Sequence, residues 1–322
     1  PFSIYYSRAI LPEPLMIVTI LGSYWYLIKM SESLGSKKII YLLASSVLLA
    51  ISILVKPFAL FFALPHLAIV FRSLAKREIN LTSFILYLTL AITPFILWRQ
   101  HILLYPDGIP ASDWLINSSG IRFRPAWFRW LFSERLAKLI LGSYGTIFLC
   151  LGLIAKPSKE GVSYWLWTLG ILIYFSVIAG GNVRHDYYQA IAIPFLCFIL
   201  AKGALLLMSL SRAVYSRFLT LIMALGIFVT MISLSWYDIK GYYQVNNWPI
   251  VRAGQAVDRL VAENSLIIAP YNGDTAFLYQ TNRSGWPLGY DIDDKIKKGA
   301  THYTSVVYDD EARELEKKYT VL

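Results

Sequence analysis

Ionisable side chains that abut long apolar runs are the first places to look for chemistry in this 322-residue chain, because charge near membrane depth is expensive to keep. They fall in four places: Arg8 with Glu13, Lys56 alone, His101 with Asp107, and the run Arg184-His185-Asp186-Tyr187-Tyr188. The cationic members suit the phosphate of a lipid-linked group, with tyrosine hydroxyls as further donors. Glu13, Asp107 and Asp186 are of the type that orients a sugar or binds a divalent metal, although no motif demands a cofactor. A plainer reading stands beside this one. The tyrosines and Arg99 fit the aromatic and snorkelling belt of a membrane surface. Glu13 and Lys56 fit it less well, since both sit beside prolines at the edge of apolar runs. His66 falls in mid-run and reads as a hydrogen-bonded core histidine.

The elements that must position these residues are apolar stretches of the length that crosses a bilayer, roughly 20 helical residues. Eight are found: Pro14–Lys29, Ile39–Val55, Pro57–Phe71, Leu81–Trp98, Lys138–Ala155, Val162–Ala179, Tyr187–Met208 and Phe218–Trp236. Lys56-Pro57 separates the second from the third, and proline stops a helix, so a tight hairpin with Lys56 at the membrane surface is predicted. Alternate connections are basic: Lys37 and Lys38, then Arg72, Lys76 and Arg77, then Lys156 and Lys159, then Arg212 and Arg217. Short basic loops stay in the cytoplasm, which places Arg8, Glu13, Lys56, residues 99–137, the segment around Arg184 and the tail on the outer face. The stretch from Ile121 to Arg135 interleaves Trp and Phe with Arg122, Arg124, Arg129 and Arg135. It reads as an interfacial helix, or as an arginine clamp on a phosphate or pyrophosphate.

Composition agrees. At 57% hydrophobic and 16% charged residues, a wholly soluble chain is excluded. Residues 1–236 hold 20 basic and 8 acidic side chains, while residues 237–322 hold 10 and 12. The basic excess belongs to the apolar segment, which points to membrane lipids or an anionic lipid ligand and not to nucleic acid. Cys150 and Cys197 lie in apolar runs and read as small buried side chains without a disulfide. Beyond Trp236 the pattern changes to amphipathic Pro249–Glu263, a strand at Ser265–Ala269, a helix at Asp274–Thr281, a turn-rich stretch through Pro287, a strand at His302–Val307 and a charged helix at Asp309–Lys318. The fold class expected is an all-α polytopic membrane domain over 1–236, followed by a small α/β extracytoplasmic domain over 237–322. Tyr319–Leu322 reads as strand-like, and the chain reads as a fragment at both ends.

Arg8-Ala-Ile-Leu-Pro-Glu13-Pro at the head of one run, Leu54-Val-Lys56-Pro57 at the end of another, and Arg184-His-Asp-Tyr-Tyr188 followed by Pro194 resemble the polytopic GT-C glycosyltransferases. The similarity is to the protein O-mannosyltransferase and lipid A aminoarabinose transferase superfamily. Lys298-Gly-Ala-Thr-His-Tyr303 is similar to the strand entry of the periplasmic tail in bacterial members. The resemblance implies transfer of a sugar from a polyprenyl-phosphate donor to a lipid, glycan or protein acceptor, at the outer face of the inner (plasma) membrane. It places Glu13 at the acidic position that follows an Arg at the head of a span. Tyr187 or Tyr188 falls at a tyrosine near the lipid phosphate, with Arg8, Lys56, Arg184 and His185 completing the donor side. The acidic base toward the acceptor is implied in an outer loop that would precede Pro1, so neither Glu13 nor Asp186 is assigned that role.

The residues suit this chemistry: leaving-group phosphate oxygens gain negative charge, which preorganised Arg, Lys and Tyr donors stabilise, while a base takes the acceptor proton. Two other readings are a transporter or flippase of lipid-linked saccharides and an O-antigen ligase or polymerase. Transporters hold ligands at the midplane, whereas here the polar residues collect at one face. The transferase reading further expects Lys56→Ala to weaken donor use while leaving stability near normal.

Overall fold

A computed structural model describes residues 1–106, 113–156, 161–210, 216–244 and 247–322. Asp107, Lys159 and Arg212 lie outside the described residues. The chain is mostly helical and forms two compact units, Pro1–Gly241 and Tyr242–Leu322.

In the first unit, α1 (Phe2–Tyr6) precedes α2 (Glu13–Glu32) and α3 (Ser36–Val55), the latter two packed as a hairpin. Each has 20 residues and so spans about 30 Å at 1.5 Å per residue. Met16, Ile20, Ser23, Leu27 and Met30 bury one face of α2 at helical spacing against Leu42, Ser45, Leu49 and Ile53 of α3. Small hydroxyl residues let the two approach: the Ser23 hydroxyl lies 2.9 Å from that of Ser45, and the Ser52 hydroxyl donates to the Met16 carbonyl at 2.9 Å. The opposite faces carry exposed Leu15, Val18, Trp25 and Ile40. A helix apolar both inward and outward is at home among lipid chains.

Helix α3 stops where its sequence requires. Lys56 precedes a proline, adopts the extended conformation that such a residue prefers (φ −155°, ψ 119°), and ends the helix. The next apolar run is not one helix but two, α4 (Ala59–Phe62) and α5 (Leu64–Ala75). Then come α6 (Leu81–Ile102), begun by the Asn80 side chain accepting from the Ser83 N–H, α7 (Asp113–Asn117) and α8 (Pro125–Phe128). The chain continues as a wide π-type helix over Arg129–Ile140, closed by Leu141 N–H donating five residues back to Leu136. It turns through 114° into α9 (Gly145–Ile154). Helices α10 (Val162–Val177), α11 (Ala179–Arg184), a 3-10 segment Asp186–Ala192 continuing into α12 (Ile193–Ser209), and α13 (Arg217–Ile239) complete the unit. Helix α13 runs on through Trp236 to Ile239.

Among the described residues, four helical stretches are long and apolar enough to cross a membrane, beginning at Ser36, Leu81, Asp186 and Arg217, and the bent pair around residue 142 makes a fifth. The segment Gly180–Asp186, expected as a connection, is mostly helix α11. Cys150 and Cys197 are free and exposed, which corrects the expectation of burial. Apolar neighbours do not imply an interior position in a helix whose outward face is apolar as well.

The second unit is built on a three-stranded parallel sheet, ordered β2-β1-β3, with β1 Leu266–Ile268, β2 Ser284–Trp286 and β3 Ala300–Tyr303. Helices α14 (Trp248–Leu260), α15 (Ala276–Gln280), α16 (Ile292–Lys297) and α17 (Asp310–Glu316) alternate with the strands, as parallel pairing demands. Ile250, Val261, Ile267, Ala269, Phe277 and Leu278 form its core. Strand β2 falls in the stretch read as turns. Its central residue, Gly285, has φ +153°, and a Cβ there would lie 1.8 Å from the Ile267 carbonyl oxygen, so glycine is what permits β1 to pair. Tyr319–Leu322 follows α17 without forming a strand.

Candidate functional site

Three chain segments meet at one end of the first unit: the start of α2, the end of α3, and the junction of α11 with the helix that begins at Asp186. The Glu13 carboxylate and the Lys56 ammonium form an ion pair there. Glu13 keeps 1% of its side-chain surface and Lys56 14%, so the pair is inside the protein, not at an exposed anchor. The Lys56 ammonium also stands over the Tyr188 ring at 4.3 Å, with Phe58 at 5.3 Å and Tyr187 at 5.8 Å from its ring centroid. Aromatic faces of this kind replace part of the hydration that burial removes. The second Glu13 oxygen, Oε2, is buried without a hydrogen-bond partner among the described residues. Such an orphan acceptor is costly to keep.

A second carboxylate lies alongside. Asp186 Oδ1 accepts from the Tyr6 hydroxyl at 2.5 Å, and Oδ2 lies 3.6 Å from Arg135 Nη1. Arg135 projects from the π-type helix and is mostly buried; its Nε–H has no partner among the described residues. The rings of Tyr6 and Tyr187 are 6.2 Å apart, which joins this pair to the Lys56 group. Tyr188 is fixed from below, its carbonyl accepting from the Tyr174 hydroxyl at 3.1 Å. Gln189 holds the preceding turn by donating to the Asn182 carbonyl and side chain at 2.8 and 2.9 Å.

His185 packs on Tyr187, Tyr188 and Trp114, with centroids 5.3 to 5.5 Å away. Burial pulls its pKa below the usual histidine value; Asp186 opposes the shift, and Arg184, Lys56 and Arg135 add to it. The Arg184 guanidinium stands 5.5 Å over the Trp114 ring. Arg8 lies exposed on the turn after α1.

Of the residues singled out in the sequence, Glu13, Lys56, His185, Asp186, Tyr187 and Tyr188 are therefore gathered, with Arg184 at their edge. Glu13 and Lys56 are partners of each other. Tyr6 and Trp114 carried no sequence signal. Arg135 did, as one of the arginines interleaved with aromatics. Another of those, Arg122, serves the backbone instead, donating to the carbonyls of Ile116 and Val177 at 3.3 and 3.1 Å. His101 stands in an exposed aromatic group with Trp98 and Tyr105. His66 is fully buried, with Nε2 3.2 Å from the Ile20 carbonyl oxygen. No three His, Cys, Asp or Glu residues come together in a metal-binding group among the described residues.

The arrangement offers cations for an anion, tyrosine hydroxyls as donors and, among the described residues, a carboxylate oxygen without a partner that suits a hydroxyl proton. Compared with models of protein families, with curated proteins and with solved structures, the chain matches none.

Proposed function

We propose that the chain is an integral membrane glycosyltransferase of GT-C type, which moves a sugar from a polyprenyl-phosphate donor to a lipid, glycan or protein acceptor. The observation that carries this reading is the convergence of Lys56, Arg135, Tyr187 and Tyr188 with the carboxylates of Glu13 and Asp186 at one end of a predominantly apolar helical unit. Displacement at the sugar's anomeric carbon leaves charge on a lipid phosphate. Fixed cations and hydroxyl donors, poorly hydrated and already oriented, stabilise that charge without reorganising. Glu13 Oε2, buried and unpaired among the described residues, suits a hydroxyl of the same ligand.

In this proposal the eight apolar runs are membrane spans of the inner membrane. The site lies at the outer face, opposite the basic ends at Lys37, Lys38 and Arg72, and residues 237–322 form an extracytoplasmic domain. Radiolabelled polyprenyl-phosphate mannose and polyprenyl-phosphate aminoarabinose, added to membranes carrying the full chain, test the reading. Label from one of them should pass to an acceptor fraction. Arg184→Lys, and Phe at Tyr187 or Tyr188, should slow that passage without unfolding the protein, because fork geometry or a hydroxyl donor is lost. Equal labelling in membranes without the chain overturns it.

A further inference from the structure

We infer that Asp186 is a positioning residue that aims the Arg135 guanidinium at an anionic ligand, with Tyr6 locking the carboxylate in place. The inference rests on the transferase reading for the identity of the anion, a lipid phosphate, but its geometry is independent of any reaction.

The two oxygens of Asp186 have different tasks. Oδ1 is held by the Tyr6 hydroxyl at 2.5 Å, a charge-assisted bond between residues 180 positions apart, which fixes the rotation of the carboxylate. Oδ2 is thereby directed to Arg135 Nη1 at 3.6 Å, too long for a closed fork-to-fork pair. A guanidinium satisfied by its own carboxylate would lie near 2.8 Å and often in bidentate register. This one is oriented by Asp186 but not consumed by it.

The remaining donors bear this out. Arg135 keeps only 18% of its side-chain surface, and its Nε–H is fully buried without a partner among the described residues. Burying an arginine donor unpaired is costly, and an acceptor bridging Nε and an Nη removes that cost. The flat fork suits two oxygens of one phosphate. The Trp130 ring stands beside the group, its centroid 5.8 Å from Arg135 Cζ. The wide helical turn over Arg129–Ile140 sets Arg135 at this point, and departures of this kind from α-helical geometry recur where side chains are aimed at ligands.

A purely structural role for the three residues makes a different prediction, and a thermodynamic cycle separates the two. The full chain in nanodiscs would be titrated with decaprenyl phosphate, following tryptophan fluorescence, in the wild type, Asp186→Asn, Arg135→Gln and the double variant. Each single change should weaken binding about tenfold, the scale of one charge-assisted hydrogen bond. The double variant should bind no more than about twofold worse than Arg135→Gln alone, because Asp186 acts through Arg135. Tyr6→Phe, which leaves the charges untouched, should weaken binding by about threefold, and Asp186→Glu should recover part of what Asp186→Asn loses. Wild-type binding by Asp186→Asn, full additivity in the double variant, or no binding of decaprenyl phosphate by the wild type overturns the inference. The expected pattern of binding without any sugar transfer keeps it and removes the transferase reading alone.

Discussion

Glu13 has lost nearly all contact with solvent and is ion-paired with Lys56, so the two residues stand or fall together. Removing one member of such a pair strands the other, at a cost of about 3–5 kcal/mol. Lys56→Ala should therefore lower the thermal midpoint in detergent markedly, whereas Lys56→Met combined with Glu13→Gln should recover most of it; equal stability of Lys56→Ala and wild type would show the pair to be idle. This reverses what the sequence alone suggested for Lys56→Ala, because a lysine beside a proline reads as a surface group until its partner, 43 positions earlier, is seen against it. The candidate site was legible as residue types at span ends and illegible as pairings. Tyr6 and Arg135 reach Asp186 only through the packing of α1 and the π-type helix, which leaves no spacing in the sequence to read. His185 supplies a second test at this scale. Its pKa is lowered in the folded state, so the folded protein binds the proton more weakly than the unfolded chain. The stability it contributes is complete above the ordinary histidine value of about 6.5 and is lost as pH falls below it. His185→Gln should flatten the acid limb of a thermal-stability profile below about pH 6.5, and an unchanged limb would remove His185 from that account.

Helices α9 and α12 touch backbone to backbone at glycines. A Cβ on Gly152 would lie 2.0 Å from the Ile199 carbonyl oxygen, and one on Gly203 would lie 1.9 Å from that of Phe148. In lipid, where apolar side chains gain nothing from leaving their solvent, such close approach is a main source of helix attachment. Gly203→Leu should force the helices apart and cost about 1–3 kcal/mol, measured as a lower midpoint or faster unfolding in detergent. Phenylalanine at the exposed Leu205, on the same helix, should change little. At this scale much was legible. The apolar runs are mostly helical, although of the eight read as spans only four, or five counting the bent pair as one, are long and apolar enough to cross a membrane among the described residues; α14, β1 and α17 fall where periodicity put them, because hydrophobic pattern is a local signal. The breaks were not legible: the division between α4 and α5 and the 114° bend before α9 arise where chain segments turn to fit neighbours. Strand β2 was hidden because Gly285, poor in strand propensity, is there for β1's sake and not its own.

At the scale of the molecule, the proposal ties chemistry to one side of a membrane. The Glu13–Lys56 pair, Asp186 and Arg135 lie at the end of the helical unit where α3 finishes, and Lys37 and Lys38 lie where it starts. The proposal puts the basic connections in the cytoplasm and the site on the opposite side, so it expects protease added to intact spheroplasts to cut within Tyr242–Leu322. The most direct test uses sealed right-side-out and inside-out vesicles from cells carrying the full chain. Each is given radiolabelled polyprenyl-phosphate sugar and a membrane-impermeant reagent that destroys the donor on the exposed leaflet. The account predicts that label passes to the acceptor in right-side-out vesicles, where the reagent abolishes it, that inside-out vesicles transfer label only after permeabilisation, and that Arg135→Gln and Tyr188→Phe reduce the transfer. Transfer abolished only in inside-out vesicles, or label that moves equally without the chain, would contradict it.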